Sequence, residues 1–143
     1  MERQRPIGWW VKRLDRLLEQ TLDSGLATEG LTRRHWQVLH SLAEGAGREE
    51  ELRSALADFA GDVGAVVDDL VDRGWARRGA DGVALTAAGR SAHERVATAV
   101  GRVRRLVAEG VSAQEYEQTI GVLSRMVGNL ERALGRAPDE PRR

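Results

Sequence analysis

The chain has 143 residues, 41% of them hydrophobic and 31% charged, which suits one compact domain, or two small lobes sharing a core, and leaves no room for a catalytic domain plus a separate regulator. With no cysteine, a disulfide framework, a thiolate metal site and a cysteine redox sensor are excluded. The opening Met1-Glu2-Arg3-Gln4-Arg5-Pro6 lacks an apolar signal segment and no apolar run approaches a membrane span, so a cytoplasmic protein with no membrane partner is expected. Lys+Arg 22 balance Asp+Glu 22, so no global basic excess argues for nucleic acid, and only local arrangement can.

The first periodic segment sets Ile7, Trp10, Val11, Leu14, Leu17, Leu18 and Leu22 at three- and four-residue steps opposite Lys12, Arg13, Arg16 and Glu19. That spacing predicts a helix with one apolar stripe, stopped at Gly25. Thr32 is placed to cap a second helix over 33–44, where Trp36, Leu39, Leu42 and Ala43 keep the helical period until Gly45. Between Arg48 and Ala57, Glu49, Glu50 and Glu51 load the first turn of a third, shorter helix, and Leu52, Ala55 and Leu56 give it a small apolar face. After the break at Phe59-Ala60-Gly61, Val63, Val66, Val67, Leu70 and Val71 form a fourth helix that Gly74 is placed to end. Two short helices with a glycine-containing joint are a helix-turn-helix pattern.

The period then changes. Residues 75–78 and 83–85 are short enough to be strands, and Asp81-Gly82 supplies the positive φ that a tight hairpin turn uses. Thr86 opens a long fifth helix through Ala92, Val96, Ala99, Val100, Val103, Leu106 and Val107, ending near Gly110. Ser112 and Glu115 have capping-box spacing for a last helix, in which Tyr116, Ile120, Leu123, Val127, Leu130 and Leu134 alternate steps of four and three. At about 1.5 Å per residue this helix is roughly 34 Å long, more than a small winged core can cover. The expected architecture is mainly α with a small β wing: a single domain over 1–143, a winged helix-turn-helix at 32–85, long dimerisation helices at 7–24 and 87–134, and a flexible tail at 136–143. The dimer seam is assigned to Ile7, Val11 and Leu14 of the first helix and Tyr116, Ile120, Leu123, Val127 and Leu130 of the last.

In its order and spacing the chain resembles the MarR family of bacterial winged-helix regulators. The resemblance rests on Leu31-Thr32 followed by Trp36-Gln37-Val38-Leu39 and Leu42; on Val66, Leu70 and Arg73-Gly74-Trp75 leading into Arg77 and Arg78; on Leu85-Thr86 then Gly89; and on the closing helix from Leu123 to Leu130. It implies a homodimer on a pseudo-palindromic double-stranded DNA operator, a repressor by the family's habit, released by a small aromatic or phenolic effector. Two departures stand out. The stretch matching the recognition helix exposes Asp62, Gly64, Ala65, Asp68, Asp69 and Asp72 with Arg73 as its only base, and the wing is short, without the Asp-x-Arg tip common in the family. A carboxylate can accept from cytosine N4, yet it also opposes the phosphate attraction that supplies most affinity.

Arg73, Arg77 and Arg78 lie where phosphate donors would sit, with Arg48, Arg53 and Ser54 on the third helix as further candidates; the alternative is a solvated arginine cluster pairing with Asp69 or Asp72. Asp62, Asp68, Asp69 and Asp72 lack a neighbouring histidine to complete a metal site, and His35 and His40 fall on different faces of one helix, so no metal and no cofactor is expected. Trp9, Trp10, Arg13, His35, Trp36 and His40 are the one concentration of aromatic and polar side chains. On the first two helices of a MarR-type protein they would border an effector cavity, against the plainer reading that Trp10 and Trp36 fill a joint. The arginine run Arg102, Arg104 and Arg105 reads as a solvated or ion-pairing surface. No phosphate loop, nucleophile elbow or His-Glu-x-x-His motif occurs, so no enzyme is expected. A rival reading is a winged-helix dimer whose acidic face has weakened DNA binding and which serves as a protein-interaction or ligand-binding module.

Overall fold

The computed structural model describes residues 4–45, 47–59 and 61–136. In chain order these form α1 (Ile7–Leu26), a 3-10 turn (Ala27–Glu29), α2 (Arg33–Glu44), α3 (Glu49–Ala55), α4 (Val63–Asp72), β1 (Ala76–Gly79), β2 (Gly82–Leu85), α5 (Ala87–Val107) and α6 (Ala113–Ala133). The mainly α architecture with a two-stranded wing is as expected. The tail assigned to 136–143 falls, beyond Arg136, outside the described residues.

Several boundaries shift for local reasons. Gly25 does not stop α1, which runs on to Leu26 and tightens into the 3-10 turn before Gly30, at φ 69, ends it. A lone glycine inside a helix costs only about 1 kcal/mol relative to alanine, and Leu26 and Leu31 are both buried on either side of that turn, which outweighs it. Helix α3 covers Glu49–Ala55 rather than 48–57, and Trp75 lies before the first strand rather than within it. The hairpin pairs Ala76 with Leu85, Arg77 with Ala84, Arg78 with Val83 and Gly79 with Gly82, so its two-residue turn is Ala80-Asp81. Among the described residues none other than glycine has positive φ, and Gly82, which follows the turn, adopts it at 120°. A feature absent from the sequence reading explains why: Gly47 and Val83 exchange backbone hydrogen bonds of 3.1 and 2.8 Å. A Cβ on Gly82 would lie 2.5 Å from the Gly47 carbonyl oxygen.

The chain divides into two compact units, one reaching to Arg104 and the other beginning at Arg105, so the break falls within the last turn of α5. In the first unit, Leu31, Val38, Leu39, Val67, Leu70, Val83 and Val96 are fully buried, each worth about 1.5–3 kcal/mol of burial. They bring α2, α4, the wing and α5 onto one core. The N-terminus of α2 is pinned to α1 by ion pairs: Arg33 reaches Asp15 and Glu19, Arg34 reaches Glu19, and the Arg33 backbone N–H donates to Asp23 at 2.7 Å.

The second unit consists of the end of α5 and α6. Ser112 and Glu115 form the capping box that their spacing predicts, at 3.0 Å in both directions, and the hydrogen bonds from Ser112 hold the Glu115 carboxyl below its ordinary value. No residue of α6 is buried. Ile120, Val127 and Leu130 stand 53%, 54% and 66% exposed, and on α1 Ile7, Val11 and Leu14 are about half exposed as well. Of the residues expected at the dimer seam, these six are exposed in the single chain, while Tyr116 and Leu123 are half-buried.

Candidate nucleic-acid interface

Helix α4 is the second helix of the helix-turn-helix. Asp62 caps it, its carboxylate accepting from the Ala65 N–H at 3.3 Å, while Val67 and Leu70 face the core. The outward stripe is Ala65, Asp68 and Asp72, continued by Gly61 just before the helix, all exposed. Two small and two acidic residues make a face that can approach a groove closely and brings no positive charge of its own.

Asp69 points elsewhere. It accepts from His35 Nε2 at 2.8 Å and from Arg73 Nε at 2.9 Å. His35 takes the Thr32 backbone N–H on its Nδ1 at 3.1 Å, so Nε2 carries the proton in the neutral ring. Burial pushes the Asp69 carboxyl up, but the hydrogen bonds and charges of His35 and Arg73 together hold it below its ordinary value. Arg73 also donates to the carbonyls of Glu29 and Gly30 and lies 5.1 Å from the Trp75 ring centre. Thr32, His35, Asp69 and Arg73 thus form one chain of contacts fixing α4 to the start of α2 and to the turn before it. The sequence offered Asp69 as an exposed residue of the recognition helix and Arg73 as a phosphate donor or, alternatively, a partner of Asp69 or Asp72; the structure shows Arg73 paired with Asp69, and both belong to this tie.

Arg78 bridges Glu49 of α3 and Asp68 of α4, and those two carboxylates raise its affinity for its proton. Arg53 pairs with Glu49 at 3.4 Å. Arg48, Ser54 and Arg77 are exposed, and among the described residues no ion pair engages Arg48 or Arg77. Residues 48–85 hold nine acidic and five basic side chains, a net of −4, whereas α5 holds five arginines against Glu94. The neutral total thus conceals an acidic helix-turn-helix and a basic long helix. Glu49, which the sequence reading took only as a favourable first-turn acid, is the hub that occupies two of the candidate phosphate donors.

The aromatic residues separate into two groups. Trp9 and Trp10 meet edge to face at 4.8 Å, and Arg5 lies 4.3 Å from the Trp9 ring centre. Trp9 shares an open groove of about 500 Å³ with Arg5, Lys12, Arg13 and Arg16. Trp36 stacks instead on His40 and His93, ring centres 4.8 and 5.3 Å away. About three turns of α1 or more separate Trp9 and Trp10 from Leu22 and Leu26, the buried residues of that helix, so the single cluster expected of Trp9, Trp10, Arg13, His35, Trp36 and His40 is not one. His93 was missed, although its place beside the buried steps Gly89, Ala92 and Val96 marks it as bordering the core.

No family model and no curated protein matches the chain. Solved structures do. A probable transcriptional regulator from Pseudomonas aeruginosa is 28% identical with a TM-score of 0.72, over 85% of this chain and 96% of that one. A MarR family transcriptional regulator from Rhodococcus sp. RHA1 reaches a TM-score of 0.76 at 21% identity, covering 84% of this chain and 92% of its own. A MarR family protein from Mycobacterium tuberculosis, solved in complex with DNA, gives a TM-score of 0.73 at 22% identity over 86% and 98%; its complex with salicylic acid gives 0.69. The helix-turn-helix and its wing define a winged helix-turn-helix protein. More narrowly, MarR family regulators match it closely along most of its length, and the fold is theirs.

Proposed function

We propose that the protein is a homodimeric, sequence-specific DNA-binding transcriptional regulator, not an enzyme, and that it acts as a repressor released by a small aromatic acid. The carrying observation is that α4 is anchored through Asp69 on one side and presents Ala65, Asp68 and Asp72, with Gly61 just before the helix, on the other. A helix held in place from behind with a small-residue face is suited to lie in a major groove. The likeness to a MarR family structure in complex with DNA supports the reading. Footprinting on duplex DNA upstream of the protein's own gene tests it: two protected half-sites about one helical turn apart are expected, and no protection at any concentration would count against it.

The arrangement of charge sets which residues matter. Arg48 and Arg77 are the candidate phosphate donors with no carboxylate to leave among the described residues, so Arg77→Ala should weaken all sequences alike and lower the salt slope by about one. Arg78→Ala should cost more, because it also leaves Asp68 uncompensated and Glu49 with Arg53 as its remaining partner. Asp68→Asn should raise affinity for every sequence by freeing Arg78 and removing one repulsion; if it instead relaxes preference at one base position, Asp68 reads a cytosine. Anisotropy titrations at two salt concentrations separate these outcomes.

For the effector, the groove on α1 supplies an indole face at Trp9 and cations at Arg13 and its neighbours, a fit for an aromatic carboxylate. Salicylate should quench tryptophan fluorescence, and Arg13→Ala should weaken that binding by about 1.5–3 kcal/mol. Quenching that is unchanged in Arg13→Ala would remove this groove as the site. The rival reading, a winged-helix module that binds proteins or ligands rather than DNA, is favoured by one observation only, the net −4 over residues 48–85.

A further inference from the structure

Helix α2 carries a histidine toward each of two partners. His35 ties it to α4, as described, and His40 faces His93 of α5, with Nδ1 and Nε2 separated by 3.2 Å. The two ring planes differ by 16° and their centres lie 5.5 Å apart. That distance is the nitrogen separation plus the two ring radii, so the nitrogens face each other along the line joining the rings. Such a contact is a hydrogen bond only while one facing nitrogen bears a proton and the other offers a lone pair. Two neutral rings meet that condition. So does a pair with a single positive charge, in which the charged ring donates, and Trp36 stacked on both rings at 24° and 10° favours that charge. Two charged rings cannot: both facing nitrogens then carry protons and two cations sit in contact.

We propose that His40 and His93 form a one-proton latch that holds α2 against α5 and opens when both rings are charged. The other charged groups at the joint are Glu44, whose Oε1 lies 3.3 Å from His40 Nε2 on the same helix, and Glu94, next to His93 on α5. The acids of α1 that meet α2, Asp15, Glu19 and Asp23, are engaged with Arg33 and Arg34 at the opposite end of the helix. Burial first, and then the charge of His40, lower the His93 pKa, with Glu94 working the other way. A base whose pKa falls on folding stabilises the fold fully above its unfolded value, about 6.5, and loses that contribution as pH drops through the folded value. Acid therefore loosens the α2–α5 joint while leaving His35 able to donate to Asp69. Any bearing of the latch on DNA release rests on the function proposed above; the latch itself is testable without DNA.

The test is an NMR titration of the full chain that follows the His93 ring, combined with amide hydrogen exchange in α2 and α5. In the wild type His93 should take up its proton below the ordinary imidazole midpoint, and protection in both helices should fall across that same step. In His40→Gln the amide oxygen still accepts the His93 N–H but gains no charge, so circular dichroism should show the fold retained. There the His93 midpoint should move up, and the step in protection should vanish. An unmoved His93 midpoint in His40→Gln overturns the proposal. So does a step that survives in His40→Gln and disappears in His35→Asn, since it would belong to the joint with α4.

Discussion

Replacing Gly89 with alanine should unfold the winged core or cost it about 3 kcal/mol or more. Gly89 lies in the first turn of α5, buried, and an added Cβ would fall on the Trp75 carbonyl oxygen, with the Leu85 side chain 3.2 Å away. The Trp75 carbonyl cannot retreat easily, because it accepts the Thr86 N–H at 3.0 Å, and Thr86 in turn caps the helix by accepting from the Gly89 N–H at 3.1 Å. The collision is therefore with backbone held at both ends rather than with a side chain that can rotate. Urea denaturation of Gly89→Ala beside the wild type checks it, with Gly121→Ala as the control, since a Cβ at Gly121 meets nothing within 4 Å. Equal midpoints for Gly89→Ala and the wild type would mean that α5 does not enter the core as described.

Substituting Val127 and Leu130 together with aspartate should leave each chain folded but abolish the dimer. Both side chains are more than half exposed in the single chain, so neither contributes much to the fold of one copy. In the proposed seam each would become a carboxylate buried without a partner, at about 3–5 kcal/mol apiece, which moves a submicromolar dimer into the millimolar range or beyond. Sedimentation velocity reads the association and circular dichroism the fold. A wild-type chain that remains monomeric at tens of micromolar, or a double variant that dimerises as tightly as the wild type, would remove α6 from the seam.

The helices were legible because their signals are local. Thr32, Ser112 and Glu115 act where capping chemistry puts them, and the steps Val67–Leu70 and Ala92–Val96 bury the face that periodicity selects. What spacing could not show is pairing across the chain. Asp69 and Asp68 are neighbours in a run of acids, yet one is drawn to His35 and Arg73 and the other to Arg78 from the wing, a division that depends on which way the hairpin lies. The same holds for Glu49 and for His93, whose partners are 29 and 53 positions distant. The bridge from Gly47 to Val83 was equally out of reach, because a single backbone pairing leaves no side-chain pattern. Composition misled in one respect: a chain with equal numbers of acids and bases has concentrated the acids on the helix-turn-helix and arginines on α5.

Selection of bound sequences from random duplexes, run at two salt concentrations, tests the proposed regulator most directly. A winged helix-turn-helix dimer that reads DNA with an acidic, small-residue α4 and a free Arg77 should enrich one near-palindromic sequence, with half-sites about one helical turn apart and affinity that falls as salt rises. Enrichment of no sequence at either salt concentration would contradict it and leave the protein a winged-helix module without DNA.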